Sequence, residues 1–156
     1  MLYAIVAALL VLADQVVKLL VRTHIPLGGS VPFLPHVMEL TYVQNTGAAF
    51  SILQEHTWLL TLISMLLVAA MLVLVARRII VGKLGVWAAT LIVAGGIGNL
   101  IDRVALGYVT DMFRTLFMNF AVFNVADCFI TVGVVLLAVY ILFFYEQSHP
   151  EQEDNA

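Results

Sequence analysis

The chain has 156 residues, of which 63% are hydrophobic and 11% charged, with a mean hydropathy of +1.06, a balance that leaves no polar surface for a soluble globular domain. Its formal charge of −3, without any dense basic run, argues against nucleic-acid binding. An integral membrane protein is the class that remains.

Four segments are long enough to cross about 30 Å of hydrocarbon at about 1.5 Å per residue. The first runs from about Met1 to Val21. It lacks the basic n-region and small-residue cleavage site of a secretory signal and carries Asp14 and Lys18, so it reads as a retained helix. An ionisable group at mid-helix costs roughly 2.5 to 3.5 kcal/mol on insertion scales, which makes a functional site its default reading. Asp14 and Lys18 stand one turn apart and can pair on one face; an ion pair that merely orients the helix fits the same spacing.

Pro26, Gly28, Gly29, Pro32 and Pro35 break any helix after this span, and Val37 to Gln44, rich in β-branched and aromatic types, predicts a short strand. Asn45-Thr-Gly47-Ala-Ala-Phe50 follows, an amide beside three small residues that admit close approach by a ligand or a partner helix, although a plain loop turn has the same composition. The stretch from Asn45 to Trp58 is the candidate lid. The second span runs from about Trp58 to Ala76, and the short connection after it holds Arg77, Arg78 and Lys83. The positive-inside rule makes that connection cytoplasmic, with both termini inside and the other two loops outside, against a comparable basic count from Arg22, Arg103 and Arg114 over longer loops.

The third span, from about Leu84 to Ile101, carries Gly95, Gly96 and Gly98, which let a neighbouring helix approach closely and do not form a phosphate loop. Asn99 and Asp102 share a face, and Arg103 can bind a carboxylate or a carbonyl; snorkelling interface charge is the plainer account of Asp102 and Arg103. Gly107 to Phe113 is a second strand-like run whose pairing with the first would carry Asp111 over the helix ends. Phe123-Asn124-Val-Ala126-Asp127 then leads into the fourth span, from about Val125 to Tyr145. Residues 146–156 form an acidic tail predicted to be disordered and cytoplasmic. No repeat or linker divides the chain, so residues 1–145 are expected to be one polytopic membrane domain.

Connectivity alone brings the polar residues together. Residues 22–57 and 102–124 must emerge on one face, which collects Asn45, Asp102, Arg103, Asp111 and Asn124, with Asp127 at its edge and Asp14 about 10 Å below it. Asp111 and Asp127 come from different segments and can meet where water is partly excluded. Like carboxylates in contact cannot both ionise, so such a pair shares a proton and can act as base and acid toward water; two separate interfacial carboxylates are the alternative. His24, His36, His56 and His149 lie in loops or the tail without metal-ligand spacing, and no metal or other cofactor is expected. Cys128 stands alone, allows no internal disulfide, and reads as a small core residue.

Asp14-Gln-Val-Val-Lys18, Asn45-Thr-Gly-Ala-Ala-Phe50, Gly95-Gly-Ile-Gly-Asn99-Leu-Ile-Asp102-Arg103, Val109-Thr-Asp111 and Phe123-Asn-Val-Ala-Asp127 stand in the order and spacing of the lipoprotein signal peptidases, and over nearly its whole length the chain resembles that signal peptidase II family. The resemblance implies an all-α membrane protein of four transmembrane helices with a small extracytoplasmic β element. It implies a metal-free aspartic endopeptidase of the bacterial cytoplasmic membrane. Its partners would be prolipoproteins, cut just before a cysteine that carries a diacylglyceryl group, and the membrane lipids around them, with no obligate protein partner. Asp111 and Asp127 match the family's catalytic pair. Asp14, Lys18, Asn45, Asn99, Arg103, Asn124 and Ala126 match positions that line or order its pocket, and Gly47 and Asp102 lie within the same motifs. Within this reading Asp14 and Asn45 could hold substrate backbone, while Asn99, Arg103 and Asn124 fix the carboxylates.

Two other classes use some of these residues. A proton-coupled carrier also needs membrane carboxylates, but carriers commonly repeat their halves and break helices at mid-membrane, whereas here the polar groups gather near one face. A scaffold accounts for the glycines and for Asp14 with Lys18, yet leaves Asp111 and Asp127 without purpose.

Overall fold

The computed structural model describes residues 1–47 and 57–148, so part of the candidate lid, His56, His149 and most of the acidic tail lie outside the described residues. Helix α1 (Leu2–His24) is followed by strands β1 (Ser30–Leu34) and β2 (Met38–Asn45), helices α2 (Thr57–Ala76) and α3 (Gly82–Leu106), strand β3 (Val109–Thr115), helix α4 (Val125–Phe143) and a single turn α5 (Tyr145–Ser148). Helices α1 to α4 are each long and apolar enough to cross a membrane.

The helix ends follow from local chemistry. Ile25, extended at φ −115° and ψ 123°, stops α1 because the residue before a proline is driven out of the helical region by Pro26. His24 is therefore the last helical residue, not a loop residue. Helix α3 runs five residues past the expected Ile101, to a left-handed Gly107 (φ 79°) whose N–H closes on the Arg103 carbonyl. Asp102 and Arg103 thus project from a helix rather than from the loop after it.

Helix α3 is the centre of the bundle: half of its apolar stretch is buried, against 11 to 17% for the other three, and α1, α2 and α4 all pack on it. Small residues make that possible. A Cβ on Gly95 would run into the carbonyl oxygen of Ala126 and the side chain of Ile130, and one on Gly98 would lie 2.6 Å from Oδ2 of Asp14. The outward faces carry exposed Leu9, Leu12, Leu66, Leu67 and Leu142, a surface that only lipid can cover without cost.

At one end of the bundle the three strands form an antiparallel sheet in the order β1-β2-β3. The expected pairing of the second and third strands is present, with Val43 opposite Asp111. The sequence reading missed β1, where Pro32 argues against a strand; β1 is the sheet edge, where the missing N–H costs no ladder bond, and its register shifts between Pro32 and Leu34. Val21, Ile25, Tyr42 and Met112 form a small core that seats the sheet on the end of α1.

Candidate active site

Strand β3 is fixed to the helices just before it presents Asp111. The backbone N–H of Thr110 donates to Oδ2 of Asp102 at 2.8 Å, and Arg22 at the end of α1 donates to the Thr110 hydroxyl at 3.0 Å. After β3 the chain turns and pairs again with the same strand: Phe123 bridges Phe113, its carbonyl accepting from Met112 N at 3.0 Å and Phe113 N at 2.8 Å. That short ladder sets Asn124, the next residue, beside Asp111.

Asn124 is also the N-cap of α4. Its Oδ1 accepts from the Asp127 N–H at 2.9 Å, and its own N–H donates to Oδ2 of Asp127 at 3.1 Å, a reciprocal capping box. With its carbonyl oxygen so engaged, the Asn124 amide turns its NH2 outward and donates to Oδ1 of Asp111 at 2.7 Å. One asparagine therefore touches both carboxylate residues.

Two more asparagines are oriented by the same logic. Oδ1 of Asn45 accepts from the Gly47 N–H at 2.9 Å, which sends its NH2 to Oδ2 of Asp111 at 2.8 Å. Oδ1 of Asn99 accepts from Lys18 Nζ at 2.9 Å, which sends its NH2 to Oδ1 of Asp127 at 2.8 Å. Each of the four carboxylate oxygens thus receives an N–H whose direction is set elsewhere.

Behind the asparagines lies a fully buried ionic floor. Lys18 pairs with Asp14 at 2.9 Å and approaches Asp102 at 3.6 Å. Asp14 spends its other oxygen on the Ala126 N–H at 2.9 Å, and so caps α4 from α1. Gln15 ties the layer together, donating to the Gly98 carbonyl at 3.0 Å, to Asp14 at 3.2 Å and to Asp102 at 3.3 Å. No buried side-chain polar atom among the described residues lacks a partner, which is what a charge cluster at 0 to 1% exposure requires.

The two carboxylates open onto a cavity of about 550 Å³, lined also by the polar Asn45, Asn99, Arg103, Asn124 and Thr131, by Gly47, Val109 and Cys128, and by the apolar Phe120 to Phe123 and Val132. Cys128 is accordingly a wall residue rather than a core one. Burial pushes the Asp111 carboxyl up to about 6; the bonds from Asn124 and Asn45 pull it down, and the nearby Asp127 charge adds to the rise. Among the described residues no three His, Cys, Asp or Glu side chains are grouped to hold a metal ion.

Of the residues singled out in the sequence, Asp111, Asp127, Asn45, Gly47, Asn99, Arg103 and Asn124 line this cavity, whereas Asp14, Lys18, Asp102 and Ala126 lie behind it. Asp14, at 0% exposure, lies behind the cavity and accepts from the first turn of α4. Arg103 donates to the Ser64 hydroxyl of α2 at 3.4 Å and makes no ion pair with a carboxylate among the described residues. Gln15, Thr110 and the Phe120 to Phe123 wall escaped the sequence reading. Gln15 could have been found as a bare amide within an apolar span, and the capping box as Asn124 followed by Asp127 three residues on.

Four spanning helices with a carboxylate-lined cavity at one end of the bundle define an integral membrane enzyme. The sequence profile described as Signal peptidase (SPase) II matches residues 6–143. A lipoprotein signal peptidase of Streptococcus pyogenes is 45% identical over 141 residues, covering 88% of this chain and 91% of that protein, and one of Streptococcus agalactiae is 44% identical over 135 residues, covering 86% and 88%. A bacterial membrane enzyme solved by the in meso method aligns with a TM-score of 0.80 at 28% identity, over 99% of this chain and 94% of its own. A second such structure gives a TM-score of 0.79 at 30% identity, over 91% and 93%. The chain belongs to the signal peptidase II family and is a multi-pass bacterial membrane protease.

Proposed function

We propose that this chain is an aspartic endopeptidase that removes the signal peptide from diacylglyceryl-modified prolipoproteins, cutting just before the lipidated cysteine, with Asp111 and Asp127 as its catalytic pair. The observation that carries the reading is that Asn124 binds both aspartates while both face one cavity. Residues 1–145 act as one domain, with the cavity on the extracytoplasmic side, an orientation supported by Arg77, Arg78 and Lys83 at the opposite end of the bundle.

The environments assign the roles. Asp127, held at the start of α4 by the Asn124 N–H and the Asn99 amide, is the partner of Asp111 and is assigned the base. Asp111, raised by burial, is the proton carrier. Asp127 takes a proton from water, and the oxygen attacks the scissile carbonyl carbon. Asp111 gives its proton to the carbonyl oxygen as the tetrahedral intermediate forms. Collapse breaks the C–N bond: the proton on Asp127 passes to the leaving nitrogen and a hydroxyl proton returns to Asp111. The products are a free carboxyl on the signal peptide and a free amine on the lipidated cysteine.

Cleavage of a diacylglyceryl-modified prolipoprotein by purified protein in detergent tests this, with Asp111→Asn and Asp127→Asn as the variants. Loss of activity by at least about 10²-fold in both, with unchanged thermal midpoints, is expected from removal of acid–base catalysis. Near-normal cutting by either folded variant would sink the catalytic assignment.

A further inference from the structure

Arg103 has no task in the mechanism above. Its side chain lines the cavity that holds Asp111 and Asp127, and it is the one cation among the described residues of that lining. Asn99 and Arg103 stand one turn apart on the same face of α3, about 6 Å along the axis. Asn99 uses that face to hold Asp127, and Arg103 enters the space beside it.

The two carboxylates do not claim this cation. Their four oxygens already receive N–H groups from Asn45, Asn99 and Asn124, and no ion pair joins Arg103 to an acidic side chain among the described residues. Among those residues it donates only to the Ser64 hydroxyl at 3.4 Å, a neutral acceptor beyond the ordinary N–H···O range of about 2.7 to 3.2 Å. A guanidinium carries its N–H donors in a planar fork, and this contact occupies little of it. A half-buried cation in that state is completed by an anion that fits the fork.

The reaction itself makes such an anion. Breaking the C–N bond turns the scissile carbonyl, between the two aspartates, into a carboxyl group that gives its proton to water and is ionised above about pH 4. Next to the charge of Asp127 the new carboxylate is repelled unless a cation in the same cavity offsets it. A carboxylate is planar and offers two oxygens, the partner that a guanidinium takes bidentately. The amide it replaces had one oxygen and no charge, so this pairing arises only once the bond is broken.

We infer that Arg103 is a binding site for the terminal carboxylate of the released peptide and makes the enzyme subject to inhibition by its own product, an inference that rests on the peptidase reading above. As product forms, the guanidinium exchanges the long Ser64 contact for two charge-assisted ones. The signal peptide then leaves more slowly than an uncharged peptide of the same sequence.

The test is inhibition of prolipoprotein cleavage at pH 6 by two synthetic signal peptides of one sequence, one ending in a free carboxylate and the other in a primary amide. Wild type, Arg103→Lys and Arg103→Met are compared in the same detergent. Wild type should bind the acid at least about tenfold more tightly than the amide, as charge-assisted hydrogen bonds require. Arg103→Lys keeps the charge without the fork and should retain a preference of about threefold, and Arg103→Met should show none. Micelle partitioning of the two peptides is common to the three proteins and cancels between them. Equal inhibition by acid and amide in wild type would overturn the inference, and so would a preference kept in full by Arg103→Met; if the methionine variant does not fold, the wild-type and lysine ratios decide. Were Arg103 only a counter-charge to the aspartates, its removal would shift the pH profile of cleavage while wild type stayed blind to the peptide's end group, which overturns the inference as well. A wild type that cuts no prolipoprotein would instead overturn the peptidase reading, and the site is then judged by whether the acid raises the thermal midpoint more than the amide does.

Discussion

The ammonium of Lys18 donates to the side-chain oxygen of Asn99 at 2.9 Å, and by occupying that oxygen it turns the Asn99 NH2 toward Asp127. A residue of α1 that does not line the cavity thereby sets the geometry of a carboxylate that does. Lys18 is also the counter-charge of Asp14, so its removal strands a buried anion. Lys18→Met should cost about 3 to 5 kcal/mol of stability and should lower activity as Asn99 loses its orientation. Adding Asp14→Asn to Lys18→Met should recover part of the stability but little of the activity. Thermal midpoints and cleavage rates of the two single variants and the double variant check this; strictly additive stability losses would show that the two residues do not act as a pair.

Asn124 has two separable duties, capping α4 and holding Asp111. Asn124→Ser retains an oxygen for the Asp127 N–H but has no NH2 for Asp111, whereas Asn124→Ala loses both. Both should lower kcat by roughly 10- to 100-fold, the equivalent of one hydrogen bond to a charged group. Only Asn124→Ala should add a further loss of about 1 kcal/mol in folding stability. Equal stability of the two would mean that the capping box contributes nothing.

The Asp111 carboxyl, lifted by burial from 3.8 to about 6, ties stability to pH with a definite sign. Below about pH 4 the folded and unfolded states both carry the proton, and the native preference for the neutral form is fully expressed. Between pH 4 and 6 the unfolded carboxyl ionises first, so stability falls as pH rises, by about 3 kcal/mol over the window. Asp111→Asn cannot titrate and should flatten that part of the curve. In the proposed mechanism the proton on Asp111 is also used in catalysis, so kcat/KM should decline above about pH 6. Parallel thermal profiles for wild type and Asp111→Asn would refute the shift.

Gly98 is where α1, α3 and α4 meet. An added Cβ would lie 2.6 Å from Oδ2 of Asp14 and 3.3 Å from the Ala126 Cβ, neither of them free to move without disturbing the buried charges or the start of α4. Gly98→Ala should therefore cost about 1 to 3 kcal/mol and reduce activity along with it. Full activity with an unchanged midpoint would show that α1 can be displaced from α3 without consequence.

The sequence alone determined the membrane class, the four spans to within a few residues and the gathering of polar side chains at one end. Hydropathy over about 20 residues and the up-and-down path of the chain are local properties that need no packing information. Its five motifs also marked the residues of the site. Tertiary structure decided what each of them touches. Asp14 was legible as an unusual charge, but only the contact with Ala126, 112 residues away, shows that it caps a helix. Asp102 reads from sequence as an interface charge, and only the extension of α3 to Leu106 and the docking of Thr110 make it the peg that holds β3. The three asparagines are marked by their motifs, but which way each amide faces depends on a donor brought in from another turn or helix: Gly47, Lys18 or Asp127. Hydrogen-bond direction is a property of neighbours in space, so it appeared only when the chain was folded.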